Sequence, residues 1–291
     1  MMTHAEELNE IFALEDCLSF EMHPSGLTLA KVTTPECQAE FMLHGAHVLA
    51  YQPAHRNRSI LFVSDKAIFE RGKPIRGGIP ICFPWFGSNA EDASLPAHGW
   101  ARTQEWELIE TARSMNQVIV RMALSNAELQ ATCEMSFGAE LSIDVSVLNC
   151  RDVPESFEIA LHTYFQINSI DDVEILGLEC VPFVDQLENK THAGDDRAIR
   201  FTEETDRIYQ GVVDQITLLE QKQNSQISIA PRGSKSTIVW NPWIDKSKRM
   251  ADFGDDEYLR MCCIESANVR ANRIELAPGQ SHTTGVTIRA N

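Results

Sequence analysis

Positive charge is scarce in this sequence. Its 291 residues carry 25 lysines and arginines against 42 aspartates and glutamates, a formal net charge of −17. A chain this acidic is unsuited to clamping a nucleic-acid backbone or lying on an anionic membrane, since both demand a basic surface. Paired cysteine is missing too. Eight cysteines stand at 17, 37, 82, 133, 150, 180, 262 and 263, none in a C-x-x-C spacing, and Cys82, Cys133 and Cys262 lie in apolar runs, as buried free thiols do. No disulfide framework is expected. The N-terminus M-M-T-H-A-E-E-L-N-E has no apolar signal core, and no run reaches the length of a membrane span. The expected compartment is therefore the cytoplasm. A phosphate-cradling P-loop, a dinucleotide fingerprint and a G-x-S-x-G elbow are all absent.

Helical periodicity is nearly absent as well. Residues 4–16 (apolar Leu8, Ile11, Phe12 and Leu14 among acids) predict one short helix. Beyond Cys17 the pattern is of strands, with alternating or continuous apolar runs at 26–32, 39–51, 59–64, 117–124, 139–148, 156–167, 226–230, 236–240, 259–265 and 282–288. With no composition shift to mark a linker, the chain reads as one domain, 1–291, all-β and mostly antiparallel, built as two facing sheets. A hydrophobic content of 43% is ordinary for a chain able to bury a large core.

The densest stretch of unusual chemistry is 71–102, R-G-K-P-I-R-G-G-I-P-I-C-F-P-W-F-G-S-N-A-E-D-A-S-L-P-A-H-G-W-A-R. Alternating Gly and Pro hold an irregular path. Set into it are Arg76, Arg102, His98 and the aromatics Phe83, Trp85 and Phe86. Arginine forks on a rigid frame suit an anion such as phosphate, and aromatic rings beside polar groups suit a sugar face. A lone arginine is more often a surface ion pair, so neither residue decides the matter by itself.

Three further segments carry candidates. In F157-E-I-A-L-H-T-Y-F-Q-I167, strand alternation puts Phe157, Ile159, Leu161, Phe165 and Ile167 on a core face. Glu158, Ala160, His162, Tyr164 and Gln166 then share a polar face that could line a cleft; a half-exposed histidine is the commoner outcome. Glu265 ends the apolar run L259-R-M-C-C-I-E, where desolvation would raise its pKa toward that of a base working near neutral pH. In V239-W-N-P-W-I-D-K246, Trp240 and Trp243 form either a sugar-stacking turn or a packed corner. Asp206, in E204-T-D-R-I-Y209, falls in an expected loop. His44 and His47 are three apart and should face opposite ways on a strand, which argues against a metal pair.

Taken in order, I-R-G-G-I-P-I-C-F-P-W-F-G, L-P-A-H-G-W-A-R, L-H-T-Y-F, E-T-D-R-I-Y, V-W-N-P-W and C-I-E-S-A-N-V resemble the glucose-6-phosphate 1-epimerases, or hexose-6-phosphate mutarotases, of the aldose 1-epimerase group. The resemblance runs from about residue 30 to 288. It implies a galactose mutarotase-like β-sandwich that interconverts the α and β anomers of a hexose 6-phosphate. It places the catalytic histidine on His162 and the catalytic glutamate on Glu265. Substrate contacts fall on Arg76, His98, Arg102 and Asp206, with Trp240 in the V-W-N-P-W run beside them. Arg76 and Arg102 are the candidates for the phosphate. By that assignment Glu265 is the base and His162 the acid in ring opening, which requires an ionised carboxylate beside a charged imidazolium. The resemblance implies a small-molecule hexose 6-phosphate as ligand and a reaction that needs no metal or other cofactor; the net charge argues against a nucleic-acid or membrane partner, and with nothing to suggest an obligate dimer the expectation is a monomer. Other readings remain at this level: a non-catalytic carbohydrate-binding β-sandwich, an aldose 1-epimerase for unphosphorylated sugars, and a glycoside hydrolase. The last needs a pair of carboxylates, where this sequence offers His and Glu.

Overall fold

The computed structural model describes residues 2–126 and 128–291. The helix expected near the N-terminus runs over His4–Phe12. Thr3 starts it with a capping box: its hydroxyl accepts from the Glu6 amide, and the Glu6 carboxylate accepts from the Thr3 amide at 2.7 Å. The helix stops at Ala13, short of the 4–16 expected, and buries only Ala5 and Leu8. Among the described residues no helix is long and apolar enough to cross a membrane.

Everything else is organised by antiparallel sheets. Leu18–Met22, Thr28–Thr33, Cys37–Met42 and His47–Pro53 form a four-stranded meander. One eight-stranded sheet runs in spatial order Val173–Leu176, Ile216–Glu220, Ser225–Arg232, Ser281–Ala290, Leu141–Asn149, Leu129–Phe137, Gln117–Ser125, Glu107–Ser114. The second runs Lys190–His192, Phe183–Asp185, Thr205–Gln210, Ser236–Asn241, Met261–Asn268, Ile159–Leu161, Ile81–Cys82, with Tyr164–Gln166 also paired to Met261–Asn268. The inner faces of both large sheets and of the meander share one apolar cluster, in which Val145, Cys133 and Val286 of the first meet Val239, Cys262 and Ile264 of the second.

The two large sheets treat their outer faces differently. Leu129–Phe137 and Leu141–Asn149 alternate strictly between buried and half-buried residues, as a sheet with one wet face should. Met261–Asn268 and Ser236–Asn241 are buried at every position. Their outer face carries a second apolar cluster, Ile238, Trp240 and Cys263 packed with Phe62, Phe86 and Phe253 from covering segments. A sheet buried on both sides can hold a charged group away from water, and the candidate site lies on this face.

Three expectations need correction. Residues 59–64 form no regular strand; they make isolated bridges at Leu61 and Val63. The Ser59 hydroxyl accepts from the Tyr51 and Leu61 amides and so takes donors a ladder would use. Residues 156–167 are not one strand but Glu155–Phe157, Ile159–Leu161 and Tyr164–Gln166, interrupted at His162–Thr163, where the Thr163 amide turns back to the Leu161 carbonyl at 2.9 Å. Asp206 lies in a strand rather than a loop, because Thr205–Gln210 pairs along its length with Ser236–Asn241 and its charged side chains find partners on either face.

The 71–102 stretch is stitched into the fold rather than draped over it. The Gly78 amide donates to Phe62 O at 2.7 Å, Ser64 N to Arg76 O at 3.0 Å, and Trp100 N to Phe83 O at 3.1 Å. Gly99 sits at φ +75°, and a Cβ there would lie 2.0 Å from the Phe83 carbonyl oxygen. Gly99→Ala should therefore cost on the order of 2–4 kcal/mol and lower Tm by about 5 °C or more. An unchanged melting curve would show that this crossing is not a fixed part of the structure.

Candidate active site

Pairing register builds the floor of the site. Asp206 stands opposite Trp240, Trp240 opposite Cys263, and Cys263 opposite Tyr164, a row across four neighbouring strands. Glu265 stands opposite Ile238, two residues further along the same face as Cys263. His162 lies at the break before Tyr164 and stacks on it, ring centroids 4.8 Å apart at 14°. A cleft of about 350 Å³ opens above, and Arg76, His98, His162, Asp206, Trp240 and Glu265 all line it. Six of the seven candidates are thus brought together. Arg102 is not on the wall; it is half-buried, and its guanidinium donates to Ala97 O at 2.8 Å.

At the centre, His162 Nε2 and Glu265 Oε1 are 3.3 Å apart. Glu265 is 1% exposed and His162 7%. The half-exposed histidine does not occur, because Trp240, Tyr164 and His98 enclose the imidazole. Close as they are, the two groups are not aligned as a hydrogen bond. Both Glu265 oxygens and His162 Nδ1 are buried with no partner among the described residues. Buried polar atoms are rarely left so, and a run of them on one cleft wall is the mark of a site that finds its partners in a ligand.

Burial drives both groups toward their neutral forms. The Glu265 pKa is raised well above the ordinary 4.5, first by desolvation and then by Asp206, with Arg102 opposing. The His162 pKa is lowered well below 6.5, first by desolvation and then by His98, Arg102 and Arg76. The sequence expectation of a standing carboxylate and imidazolium is therefore corrected for the empty cleft. Both placements nevertheless hold one proton on the pair: a carboxyl beside a neutral imidazole, or a carboxylate beside an imidazolium.

The surroundings are rigid. Arg76 donates through Nε to Asp252 at 3.2 Å and through Nη1 to the Tyr164 hydroxyl at 3.0 Å, and its Nη2 is ion-paired with Asp252 at 3.1 Å. His98, at φ +65°, accepts the Gly87 amide on Nδ1 at 3.3 Å and packs edge-on against Phe86. Burial, then Arg102 and Arg76, push its pKa down to about 3. The neutral ring therefore carries its proton on Nε2. The Asp206 carboxyl is raised chiefly by burial, although Gln186 donates to it at 2.6 Å and Lys246 stands 3.7 Å away.

Gln186 and Lys246 are not picked out from sequence, and Glu158 is placed there only on a polar strand face, with no role of its own. Lys246 also pairs with Glu204 at 3.1 Å and lies over the Trp240 ring. Glu158 accepts the Phe86 amide at 3.0 Å and the Arg270 amide at 2.6 Å, joining two loops at the cleft edge. Nothing in their local patterns marks these residues, since each matters only through a partner distant in sequence. Phe83, by contrast, is core, packed edge-on to Phe157 and Trp100. Trp243 begins the helix Trp243–Arg249 and packs on Tyr258, so of that tryptophan pair only Trp240 reaches the cleft. His44 and His47 each bond a backbone carbonyl, Lys73 and Gly77 respectively. A larger groove of about 740 Å³ around Phe183 and Arg207 contains none of the candidates, and its three arginines are paired with Asp195, Glu174 and Asp185.

Residues 28–289 match the family model of aldose 1-epimerase. The chain belongs to the aldose 1-epimerase family. A Cenchrus ciliaris protein bearing the name "Putative glucose-6-phosphate 1-epimerase" is 32% identical over 289 residues, spanning 92% of this chain and 86% of its own. An Escherichia coli K12 protein of the same name is 31% identical over 253 residues, spanning 83% of each. The crystal structure of a "putative mutarotase" from Salmonella typhimurium superposes with a TM-score of 0.88 at 27% identity, covering 96% of this chain and 95% of that one. The galactose mutarotase-like β-sandwich expected from sequence is what these neighbours share, and the chain is an isomerase of the epimerase type.

The raised Glu265 pKa has a consequence for stability. The unfolded chain loses this proton near pH 4.5 and the folded chain only at higher pH, so folding stability falls as pH rises across that window. Glu265→Gln removes the penalty. Its Tm should match that of the parent near pH 4 and exceed it by a growing margin toward neutral pH. A variant less stable than the parent at pH 7 would show that Glu265 is ionised and well partnered in the native state.

Proposed function

We propose that this epimerase interconverts the α and β anomers of D-glucose 6-phosphate, with Glu265 and His162 as its proton-transfer pair. The observation that carries the reading is the one-proton pair itself, buried, 3.3 Å apart and without hydrogen-bond partners on the wall of a sugar-sized cleft. The names carried by the relatives support the phosphorylated substrate.

The chemistry follows from proton bookkeeping. A sugar entering the cleft supplies hydroxyls to the orphaned atoms and so stabilises the charged placement, Glu265 carboxylate beside His162 imidazolium. Glu265 takes the proton of the C1 hydroxyl while His162 gives its proton to the ring oxygen. The C1–O5 bond breaks and C1 becomes an aldehyde. The pair now holds its proton on Glu265 and leaves His162 neutral, the placement that burial favours. Rotation about C1–C2 presents the other aldehyde face, the ring oxygen attacks, and the two protons return by the same routes. Positioned acid–base groups contribute roughly 10²- to 10⁴-fold each.

Trp240 offers an apolar wall for the sugar, and Asp206, held by Gln186, an acceptor for its hydroxyls. Arg76 is the phosphate candidate on the cleft wall. A guanidinium has about five N–H donors; hydrogen bonds to Asp252 and Tyr164 use only Nε and one hydrogen of Nη1, leaving donors on both terminal nitrogens for an anion. Arg102, set behind His98, acts through its field on His98 and His162.

Exchange between the α and β C1 protons, followed by NMR, tests the assignment. His162→Ala and Glu265→Gln should each slow exchange of glucose 6-phosphate by about 10²-fold or more with the fold intact; near-parental exchange in either removes that residue from the mechanism. Arg76→Lys should raise KM for glucose 6-phosphate at least several-fold more than for free glucose. Equal losses for both sugars would show that Arg76 does not read the phosphate. No acceleration of any sugar by the parent protein would leave a binding module.

A further inference from the structure

Cys263 has no part in the chemistry above, yet it lies at the heart of the site. Its side chain is fully buried on the same face of Met261–Asn268 as Glu265, opposite both Trp240 and Tyr164. One donor atom each from His162, Cys263 and Glu265 falls within 4.8 Å of the others. Two of the three residues bring polar atoms with nothing to bond: His162 Nδ1 and both Glu265 oxygens. The third brings a thiol that a sugar has no use for.

We propose that His162, Cys263 and Glu265 form an inhibitory binding site for a thiophilic divalent cation of the zinc type, entered through the cleft and exclusive with sugar. A nitrogen, a sulfur and a carboxylate oxygen are the donor set that Zn²⁺ takes, at about 2.0–2.1, 2.3 and 2.0–2.2 Å. Tetrahedral donors at those lengths stand about 3.3–3.8 Å apart. The His162–Glu265 separation of 3.3 Å already meets that spacing, and modest side-chain adjustment brings in the sulfur. The cleft above leaves a fourth position for water, as in other three-ligand sites. Hard cations such as Mg²⁺ are poorly served, since they demand several oxygen ligands.

The proton balance is explicit. The thiol binds as thiolate and gives up its proton to solvent. The cation's two positive charges are then matched by thiolate and carboxylate, with neutral imidazole as third ligand, and any proton held by the carboxylate or the imidazole at the coordinating atoms leaves as well. The bound cation holds both proton-transfer groups, so anomer exchange stops. That last step rests on the epimerase reading above; the binding itself does not.

Co²⁺ is the probe, added to chelator-treated full-length protein without sugar. A thiolate-to-cobalt charge-transfer band should appear in the near ultraviolet at one ion per chain. Titration calorimetry in buffers of different ionisation enthalpy should report proton release on binding, at least the one from the thiol. Cys263→Ala should abolish the band and raise the Zn²⁺ concentration for half-inhibition at least tenfold, with inhibition read as a fraction of that variant's own metal-free rate. Cys263→Ser, which keeps the volume, serves if the alanine variant is poorly folded. Saturating glucose 6-phosphate should suppress the band. No thiolate band in the parent, a band retained in both Cys263 variants, or Zn²⁺ inhibition unchanged by them would overturn the proposal; a band at Cys150 or Cys180, the two exposed thiols, would persist in the variants. A parent protein that forms the Cys263-dependent band yet accelerates no sugar would retain the metal site and remove the function.

Discussion

The constraint on which the rest depends is the burial of two titratable groups side by side. A carboxyl and an imidazole, both nearly inaccessible to water, are held 3.3 Å apart with their other polar atoms unbonded. Leaving a buried polar group unsatisfied costs about 1–3 kcal/mol, and this site does so at several atoms. Folding stability is given up to hold these groups unbonded. Desolvation favours the neutral pair; on the proposed mechanism, hydroxyls brought by a ligand favour the charged one. The charged pair is then the state before ring opening and the neutral pair the state after it, so the medium that destabilises the carboxylate also drives the proton transfer that opens the ring.

Holding such a pair requires a sheet dry on both faces. An antiparallel sandwich ordinarily leaves its outer faces wet, as Leu129–Phe137 and Leu141–Asn149 show. The other large sheet is covered by the 71–102 stretch, by Phe62 and by the segment through Met250 and Phe253. The covering segments are fixed by backbone hydrogen bonds and by side chains placed between them: Glu158 ties the Phe86 and Arg270 amides, and Arg76 ties Asp252 to Tyr164. The interruption at His162–Thr163 sets the imidazole at a strand end, where it stacks on Tyr164 and faces Glu265 on the neighbouring strand.

What was legible in the sequence follows a physical division. Strands with one dry face alternate, and 117–124 and 139–148 were read correctly on that signal. The 59–64 run failed because a single serine hydroxyl took the amides that a ladder needs. Asp206 is expected in a loop because its neighbours in sequence are polar; Gln186, Lys246 and Asp185, distant in sequence, make the charges of that strand tolerable. The candidate residues came from ordered motifs whose resemblance to a family supplied what periodicity cannot, the convergence in space of segments near 76, 98, 162, 206, 240 and 265. Which arginine faces the cleft was beyond reach, because Arg76 and Arg102 look alike until one is found on the wall and the other behind His98. Cys263 is not singled out by the sequence, since its neighbours on adjacent strands are invisible along the chain.

The anionic substrate proposed for a protein of net charge −17 calls for an account. At long range the field repels a phosphate, so association gains nothing from steering. The benefit lies within the complex. In a hexose 6-phosphate the phosphate is carried on C6, attached to the same C5 that bears the ring oxygen. When C1–O5 breaks, the C1 aldehyde must swing about C1–C2 while O5 stays where it can receive and return a proton. An anchor on the phosphate fixes the C5–O5 end and leaves the C1 end free to turn. Arg76, braced by Asp252 and Tyr164, can provide a fixed anchor of that kind at little further entropic cost, its side chain being ordered already. The phosphate then acts less as a source of attraction than as a pivot that keeps the open-chain sugar in register with His162.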